Sequence, residues 1–175
     1  GRLVSWTVAG RELLASGPVL HLWRAPTDND IHIAAVWRRH GLDRIQQRLE
    51  RFEVSGSGAA VTVATSYILA SWGYLRPSFR GELVYEIAGD GRIKVSAHLV
   101  PLRGDLPVLP RIGLELHLPR SFDRFLWFGR GPHENYPDRK ESALVGLYES
   151  TVDQQYVPYI RPQEHGNRAD VRWAR

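Results

Sequence analysis

Residues 83–99 read Leu-Val-Tyr-Glu-Ile-Ala-Gly-Asp-Gly-Arg-Ile-Lys-Val-Ser-Ala-His-Leu, and this stretch decides the fold class. Two runs of aliphatic, aromatic and β-branched residues flank Gly89-Asp90-Gly91, which predicts a β-hairpin. Residues 112–118 alternate strictly between apolar and polar side chains, as a half-buried strand does. The further strand candidates are 3–9, 19–23, 61–65, 122–128, 143–148 and 155–160. Many short strands separated by Gly and Pro predict an all-β fold of the sandwich type.

One segment departs from this pattern and predicts a helix at about 34–49. Its apolar residues at helical spacing are Val36, Trp37, Leu42, Ile45 and Leu49. A helix there would begin shortly after a run of short polar residues, Asp28-Asn29-Asp30, any of which is a candidate N-cap.

The composition is that of an ordinary globular protein with room for one sizeable core, at 175 residues, 43% hydrophobic and 24% charged. No apolar run approaches the roughly 20 residues of a membrane span, so we expect no membrane partner. Cysteine is absent, which excludes disulfides and thiolate metal sites. Methionine is absent too, and the last residues are Trp173-Ala174-Arg175 without a polar tail. We therefore expect a piece of a longer protein, cut at both ends.

The net charge of +4 comes from arginine, since lysine occurs only at positions 94 and 140. Arg44, Arg48 and Arg51 would share one face of the predicted helix and could contact phosphates. The alternative is a solvated helix face whose arginines pair with neighbouring acids, and we favour it because no nucleic-acid-binding motif accompanies them. We therefore expect no nucleic-acid partner. An Arg-rich nucleic-acid binder is the less favoured alternative.

Asp28-Asn29-Asp30 places several oxygen atoms within a short stretch of chain. Such a cluster accepts hydrogen bonds from sugar hydroxyls or binds a hard cation. The alternative, which we favour, is a helix cap with an Asx turn.

A second polar stretch, residues 129–139, combines Gly129 and Gly131 with His133-Glu134. A metalloprotease motif would need another histidine four residues on, and Pro137 would break its helix, so we expect no metal here. The expected role of Glu134, with Asp138 and Arg139, is a polar network that fixes the loop. Glu134 and Glu164 are also a conceivable carboxylate pair for glycoside hydrolysis, although nothing in the sequence brings them together.

Four stretches taken together resemble the C-terminal small-chain domain of family 2 β-galactosidases, in the same order and across the whole chain. They are Trp23-Arg24-Ala25-Pro26-Thr27-Asp28-Asn29-Asp30, Val36-Trp37 with Gly41-Leu42, Trp127-Phe128-Gly129-x-Gly131-Pro132-x-Glu134-Asn135-Tyr136-Pro137-Asp138-Arg139, and Pro158-Tyr159-x-x-Pro162-Gln163-Glu164-x-Gly166-Asn167-Arg168.

The resemblance implies a partial small-chain domain over residues 1–175, with the fold of an all-β super-sandwich similar to galactose mutarotase and truncated at its C-terminus. The parent enzymes are multidomain, retaining, often cytoplasmic and usually homo-oligomeric, and they cleave terminal β-galactosides such as lactose. Their catalytic glutamates and their Mg²⁺ and Na⁺ ligands belong to a (β/α)₈ barrel that is absent from this chain. The resemblance therefore implies no catalytic residue, no metal ligand and no hydrolysis by this chain alone, and the remainder of the β-galactosidase polypeptide as its partner.

In the family, the segment after the Asp-Asn-Asp run borders the active-site mouth. The resemblance thus implies pocket-bordering or substrate-binding roles for Asp28, Asn29, Asp30 and His32, where His32 stands at a position that is commonly Gly. The residues expected to form a structural network within the motifs are Arg24, Glu134, Asn135, Asp138, Arg139, Glu164 and Arg168.

Two alternatives share the predicted fold: a free-standing carbohydrate-binding module and a mutarotase-like enzyme. A mutarotase would need a histidine–glutamate acid–base set facing the sugar. The strand residues available for such a set are His98, His117 and Glu115.

Overall fold

The computed structural model describes residues 1–58, 60–71 and 76–175. The strands are β1 Thr7–Val8, β2 Arg11–Glu12, β3 Ser16–His21, β4 Ile45–Ser57, β5 Ala60–Ser71, β6 Phe79–Ala88, β7 Ile93–Pro101, β8 Gly113–His117, β9 Arg124–Gly131, β10 Leu144–Thr151 and β11 Trp173–Ala174. A short helix, α1, spans Ala34–Arg39, and 3₁₀ turns form at Asp28–Asp30, Leu42–Arg44 and Asp153–Gln155. Trp72, an aromatic residue at the edge of a predicted segment that could either fill the core or stack on a sugar, lies outside the described residues.

The prediction of an all-β fold is confirmed, since strands predominate and pair into open antiparallel sheets. The chain divides into two compact units. The first comprises Gly1–Arg24 and Asp30–Leu118, and the second comprises Ala25–Asn29 and Pro119–Arg175. In the described part of the chain, no helix has the length and apolar character needed to cross a membrane.

The first unit is built on the four-stranded sheet β4–β5–β6–β7. The predicted hairpin forms its β6–β7 half, where Leu83 pairs with Ala97 and Ile87 with Ile93. Successive side chains of β6 point to opposite faces of the sheet. Phe79, Leu83 and Tyr85 are buried, while the intervening charged residues are exposed. Each buried aliphatic or aromatic side chain contributes about 1.5–3 kcal/mol, so this face supplies the core.

Trp37 of α1 belongs to the same core at 3% exposure. Its indole nitrogen donates a hydrogen bond to the carbonyl of Val108 at 2.7 Å, and its ring meets Trp23 edge-on at 6.2 Å. The β3–β8 pair and the β1–β2 hairpin complete the first unit.

The predicted helix begins at the expected residue but ends at Arg39, so its predicted extension to residue 49 is wrong. Gly41 adopts φ +67°, and the Ser71 hydroxyl contacts the carbonyls of His40 and Gly41 at 3.0 and 2.8 Å. The chain then enters β4, where Ile45 and Leu49 both face the core side of the sheet because a four-residue spacing also satisfies a period of two. The spacing of the apolar residues alone therefore did not distinguish a helix from a strand at residues 45–49.

The predicted arginine face of this helix is wrong for the same reason. Arg44 lies in a 3₁₀ turn, whereas Arg48 and Arg51 lie on β4. Arg51 is paired with Glu53 of the same strand at 2.5 Å. None of the three residues of the Asp28–Asp30 turn caps α1, whose N-cap is Ile33 without a side-chain hydrogen bond.

The second unit contains the sheet β10–β9–β11, with Trp127 of β9 buried at 2% exposure. The ring of Trp127 stacks on that of Phe125 with 5.1 Å between centroids, and its centroid lies 5.5 Å from that of the Tyr148 ring. The predicted strand at 155–160 is wrong, because this segment leaves the Asp153–Gln155 turn as irregular chain.

Replacing Gly41 by alanine should destabilise the first unit by more than the cost of a left-handed alanine alone. An added Cβ would lie 2.5 Å from the Cβ of Ser71, so packing must shift in addition to the backbone penalty. We expect a loss of about 2–4 kcal/mol in the free energy of unfolding, measured by urea denaturation.

Gly10→Ala is the matched control, because Gly10 has φ +76° but no atom within 4 Å of an added Cβ. It should cost only about 1–2 kcal/mol. Equal losses for the two variants would show that Ser71 does not constrain Gly41.

Candidate functional site

The polar site of the second unit lies where the loop after β9 meets the segment around residue 166. Glu134 is at its centre with an exposure of only 6%. Its carboxylate accepts hydrogen bonds from the Arg139 guanidinium at 2.8 Å, from the backbone N–H of Gly166 at 2.7 Å and from the Tyr159 hydroxyl. Three donors from separate parts of the chain therefore converge on one buried charge.

These contacts set the electrostatics of the site. Burial by itself would raise the pKa of Glu134, but the hydrogen bonds from Tyr159, Gly166 and Arg139 outweigh it and hold the pKa below its ordinary value. The hydrogen bond to Glu134 raises the pKa of Tyr159. Burial, together with the negative charges of Glu134 and Glu164, raises the pKa of Tyr136 to about 12.

Asn135 is fully buried and joins the same two segments through both its backbone and its side chain. Its backbone N–H donates to the Asn167 carbonyl at 2.9 Å, and the Asn167 amide returns a bond to the Asn135 carbonyl at 2.7 Å. The Asn135 side chain accepts from the Ala169 N–H at 2.7 Å and donates to the His133 carbonyl at 3.1 Å. These bonds leave the loop little freedom to move.

Arg168 lies over the ring of Trp127, with its guanidinium carbon 5.2 Å from the ring centroid. It donates to the Pro132 carbonyl at 2.9 Å and to the Gln155 side chain. Burial lowers the pKa of Arg168, although nearby Glu134 opposes that shift. Arg168 thus connects the loop after β9, the Asp153–Gln155 turn and the ring of Trp127.

An open groove of about 460 Å³ adjoins this network. Residues that line it include Trp127, Glu134, Arg139, Glu149, Gln155 and Tyr159. The lining combines aromatic surface with amide, hydroxyl and charged groups, which is the mixture that hydrogen-bonds and stacks on polar ring compounds.

The Asp28–Asp30 run divides between two environments. Asp30 is buried and forms a two-point ion pair with Arg24, at 2.6 and 3.1 Å. Arg24 also donates to the Pro110 carbonyl at 3.2 Å. Asp28 is exposed, and the Gln163 side chain bonds to both its carboxylate and its backbone N–H.

Asn29 is exposed and donates to the Asp138 carboxylate at 3.2 Å. His32 is exposed as well. The structure therefore joins Arg24 to Asp30 in the first unit, and Asn29 to Asp138 in the second. Glu164 acts electrostatically on Tyr136 alongside Glu134, but the two carboxylates have different surroundings: Glu134 is buried and Glu164 is partly exposed.

Of the candidates for a mutarotase-like set, Glu115 and His117 lie together on β8 with their side chains 2.8 Å apart. The second oxygen of Glu115 lies 2.9 Å from His21 of β3, a partner that the sequence did not indicate. His98 lies exposed on a different strand, β7. In the described ranges, no three or more His, Asp or Glu side chains form a group that could hold a metal ion.

Sequence reasoning missed several residues of the site. Tyr159 and Gly166 bind Glu134 from positions 25 and 32 residues away. Arg130 donates to Asp170 at 2.6 Å and to the carbonyls of Lys140 and Ala143. Three of these residues, Tyr159, Gly166 and Arg130, lie within the motif stretches. Their place in a motif could therefore have marked them as site residues, but nothing in the sequence indicated which groups they bind.

Comparison with known proteins gives one consistent result. The family model described as beta galactosidase small chain matches residues 1–175. A beta-galactosidase of Vibrio cholerae is 37% identical over 98% of this chain, and one of Priestia megaterium is 36% identical over 99%. A beta-galactosidase of Lactobacillus delbrueckii subsp. bulgaricus is 37% identical over 97%. The chain spans only 16–18% of the length of these relatives.

Replacing Glu134 by glutamine should destabilise the second unit at neutral pH, because the Gly166 N–H or the Arg139 guanidinium loses a charged acceptor. We expect a loss of about 1–3 kcal/mol in urea denaturation at pH 7. The folded-state pKa of Glu134 is depressed, so its stabilisation is complete above the unfolded value of about 4.3 and is lost as the pH falls through the folded value. The difference between wild type and Glu134→Gln should therefore shrink on acidification.

Glu149→Gln provides the control, since Glu149 lines the same groove but is exposed and paired only at the surface with Arg124. It should change stability by less than about 1 kcal/mol at any pH. An unchanged gap between Glu134→Gln and wild type from pH 7 to acid would contradict the assigned pKa direction.

Proposed function

Because this chain belongs to the beta galactosidase small chain family, we propose that it is a segment of a longer β-galactosidase that hydrolyses terminal β-D-galactosides such as lactose. The observation that carries the proposal is the match of 98–99% of the chain to proteins named beta-galactosidase, of which it covers less than a fifth. We further propose a cytoplasmic, homo-oligomeric enzyme of family 2 with a super-sandwich small-chain domain.

The proposed role of this segment is to scaffold the catalytic barrel and to border its mouth. Catalytic carboxylates, and the Mg²⁺ and Na⁺ that support them, are assigned to the barrel. The surroundings of Glu134 support this division, because a buried carboxylate that accepts bonds from Tyr159, Arg139 and Gly166 has its oxygens directed at the protein. By itself the chain should hydrolyse no galactoside.

Within the segment, we assign roles in bordering the mouth to Asp28, Asn29 and His32. All three are exposed and present carboxylate, amide and imidazole groups, which suit sugar hydroxyls. Asp30 is buried, and its carboxylate is engaged by Arg24.

The test uses the complete polypeptide and a chromogenic β-galactoside. Asp28→Asn and His32→Ala should raise KM by about three- to tenfold, the equivalent of one hydrogen bond, with the thermal midpoint unchanged. Asp30→Asn should lower the thermal midpoint because it weakens the pair with Arg24.

Asp90→Asn is the control for charge removal, since Asp90 is an exposed acid in the β6–β7 turn, bonded only locally to Arg92. It should leave KM and stability unchanged. Unchanged KM in both mouth variants would refute the bordering role, and absence of galactosidase activity in the complete polypeptide would refute the proposed function.

A second candidate is a carbohydrate-binding or mutarotase-like activity of the chain itself, supported by the His21–Glu115–His117 cluster. A carboxylate held by two imidazoles on one sheet face is a reasonable acid–base set for ring opening of a sugar.

Polarimetry of freshly dissolved α-D-galactose with the isolated chain tests this candidate. The candidate would be supported if the chain accelerates the change in optical rotation, if Glu115→Gln abolishes this acceleration, and if the exposed-surface variant Glu86→Gln retains it. The small-chain role predicts no acceleration above buffer.

A further inference from the structure

Strand β4 lies at the margin of the sheet β4–β5–β6–β7. With 13 residues it is the longest strand of the described ranges, and within those ranges it pairs with β5 alone. The backbone N–H and C=O groups along the outer side of such an edge strand are a template for a further strand. The side chains of β4 indicate which strand fits this template.

Pairing with β5 shows that three apolar residues of β4 point to the core face of the sheet. Leu49 is paired with Tyr67, which is buried. Phe52 is paired with buried Thr65 and points to the same face, as does Val54 two residues further on. Leu49, Phe52 and Val54 are 40%, 54% and 59% exposed, and we call them the β4 patch.

A β-bulge explains how Leu49 and Phe52, three residues apart, point to the same face. The register with β5 shifts between Leu49 and Arg51, so Glu50 is the additional residue. Arg51 and Glu53 point to the opposite face, where they form an ion pair of 2.5 Å. The edge strand therefore carries an apolar row on one face and an Arg–Glu pair on the other.

The charges on β4 are complementary to those on a second copy of β4. When two antiparallel strands are related by a twofold axis, the residue on the axis lies opposite its own copy. With Phe52 on the axis, Arg51 of each copy lies opposite Glu53 of the other. An axis at Arg51 or at Glu53 would instead place like charges opposite each other, which is destabilising.

The apolar side chains match in the same register. Phe52 lies beside its own copy on the core face, and the additional residue in the bulge brings Leu49 opposite Val54 of the other copy. An axis at Val54 would set Phe52 opposite Gly56, which has no side chain to contact. The register centred on Phe52 therefore pairs the whole β4 patch with itself and every Arg51 with a Glu53.

This match overcomes the usual protection of an edge strand. Charged side chains on an edge ordinarily discourage pairing with another chain. On β4 the two charges have opposite sign and symmetric positions, so a second copy adds a carboxylate to each arginine and an arginine to each carboxylate. The charges thus select one partner and one register.

We infer that β4 pairs with β4 of a second copy of this chain, antiparallel and about a twofold axis at Phe52. The pairing joins two sheets into one continuous sheet of eight strands, four from each copy. The inference names an interface of the homo-oligomer proposed above and rests on that part of the proposed function. Another part of the longer protein is the competing occupant, and the second copy is favoured because β4 is complementary to itself on both faces.

Disulfide trapping in the complete polypeptide tests the register. Residues 1–175 contain no cysteine, and any cysteines elsewhere are replaced. Residues directly opposite each other in an antiparallel pair have Cα atoms about 4.5–5.5 Å apart, a distance that a disulfide spans. Under mild oxidation, Phe52→Cys should therefore form an intermolecular disulfide with its own copy.

Val54→Cys is the matched control, because Val54 lies on the same face with a similar exposure. In the inferred register its copy lies four residues further along the strand, about 13 Å away and beyond the reach of a disulfide. Val54→Cys alone should form no cross-link, and neither should Leu49→Cys alone. The double variant Leu49→Cys/Val54→Cys should form one, since these positions lie opposite each other.

Charge reversal gives a second readout. In the Phe52→Cys background, Arg51→Glu and Glu53→Arg should each slow cross-linking about tenfold or more, because like charges then face each other across the axis. Combining the two reversals should restore the rate. Lys94→Glu, which breaks the exposed pair with Glu86 on the far side of the sheet, should leave the rate unchanged.

Three results would overturn the inference. The first is the absence of a Phe52→Cys cross-link, and the second is equal cross-linking of Phe52→Cys and Val54→Cys. The third is a Phe52→Cys thiol that is protected from maleimide without forming a cross-link, which would assign the edge to another part of the polypeptide.

Hydrolysis of a β-galactoside by the same variants separates this inference from the function on which it rests. An active homo-oligomer without cross-links leaves the proposed function intact and rejects the β4 interface. A cross-linked protein without activity supports the interface and rejects the proposed reaction.

Discussion

The buried carboxylate of Glu134 is the constraint on which the second unit depends. A charge removed from water costs several kcal/mol unless partners replace the lost hydration. Tyr159, Arg139 and Gly166 provide those partners, and each comes from a different part of the chain. The loop after β9 and the segment near residue 166 are therefore held in a single arrangement, since displacing either would leave the charge without its donors.

Neighbouring contacts extend this constraint into a rigid frame. Asn135 joins the same two segments with three hydrogen bonds, and Arg168 links them to the face of Trp127. Gly129 has a matching role, because a Cβ there would approach the Cα of Val171 to 2.7 Å. The density of Gly, Asn and Arg in these stretches is thus explained by close backbone approach and by polar satisfaction.

The sequence predicted those features that depend on neighbours along the chain. The 83–99 hairpin was predictable because strand period and turn residues are both local. The end of the helix was not predictable, since the spacing of Ile45 and Leu49 fits both a helix and a strand. Only the pairing of β4 with β5 selects the strand. Residue types in the Glu134 network suggested polar contacts, but the donors Tyr159 and Gly166 lie 25 and 32 residues away and only the fold brings them together. Likewise, the separation of buried Asp30 from exposed Asp28 within one acidic run has no local signal.

The chemistry of Glu134 also bears on the proposal that this segment carries no catalytic carboxylate. A general acid in glycoside hydrolysis needs a raised pKa so that it remains protonated near neutral pH, and a nucleophile needs an oxygen directed at the sugar. The pKa of Glu134 is lowered by its hydrogen bonds, which outweigh the effect of burial, and both of its oxygens accept bonds from the protein. The same three donors that stabilise the fold thus make this carboxylate a poor acid and an unavailable nucleophile. This state of Glu134 supports the proposed division, in which the segment supports a site whose reacting groups belong to another part of a longer β-galactosidase.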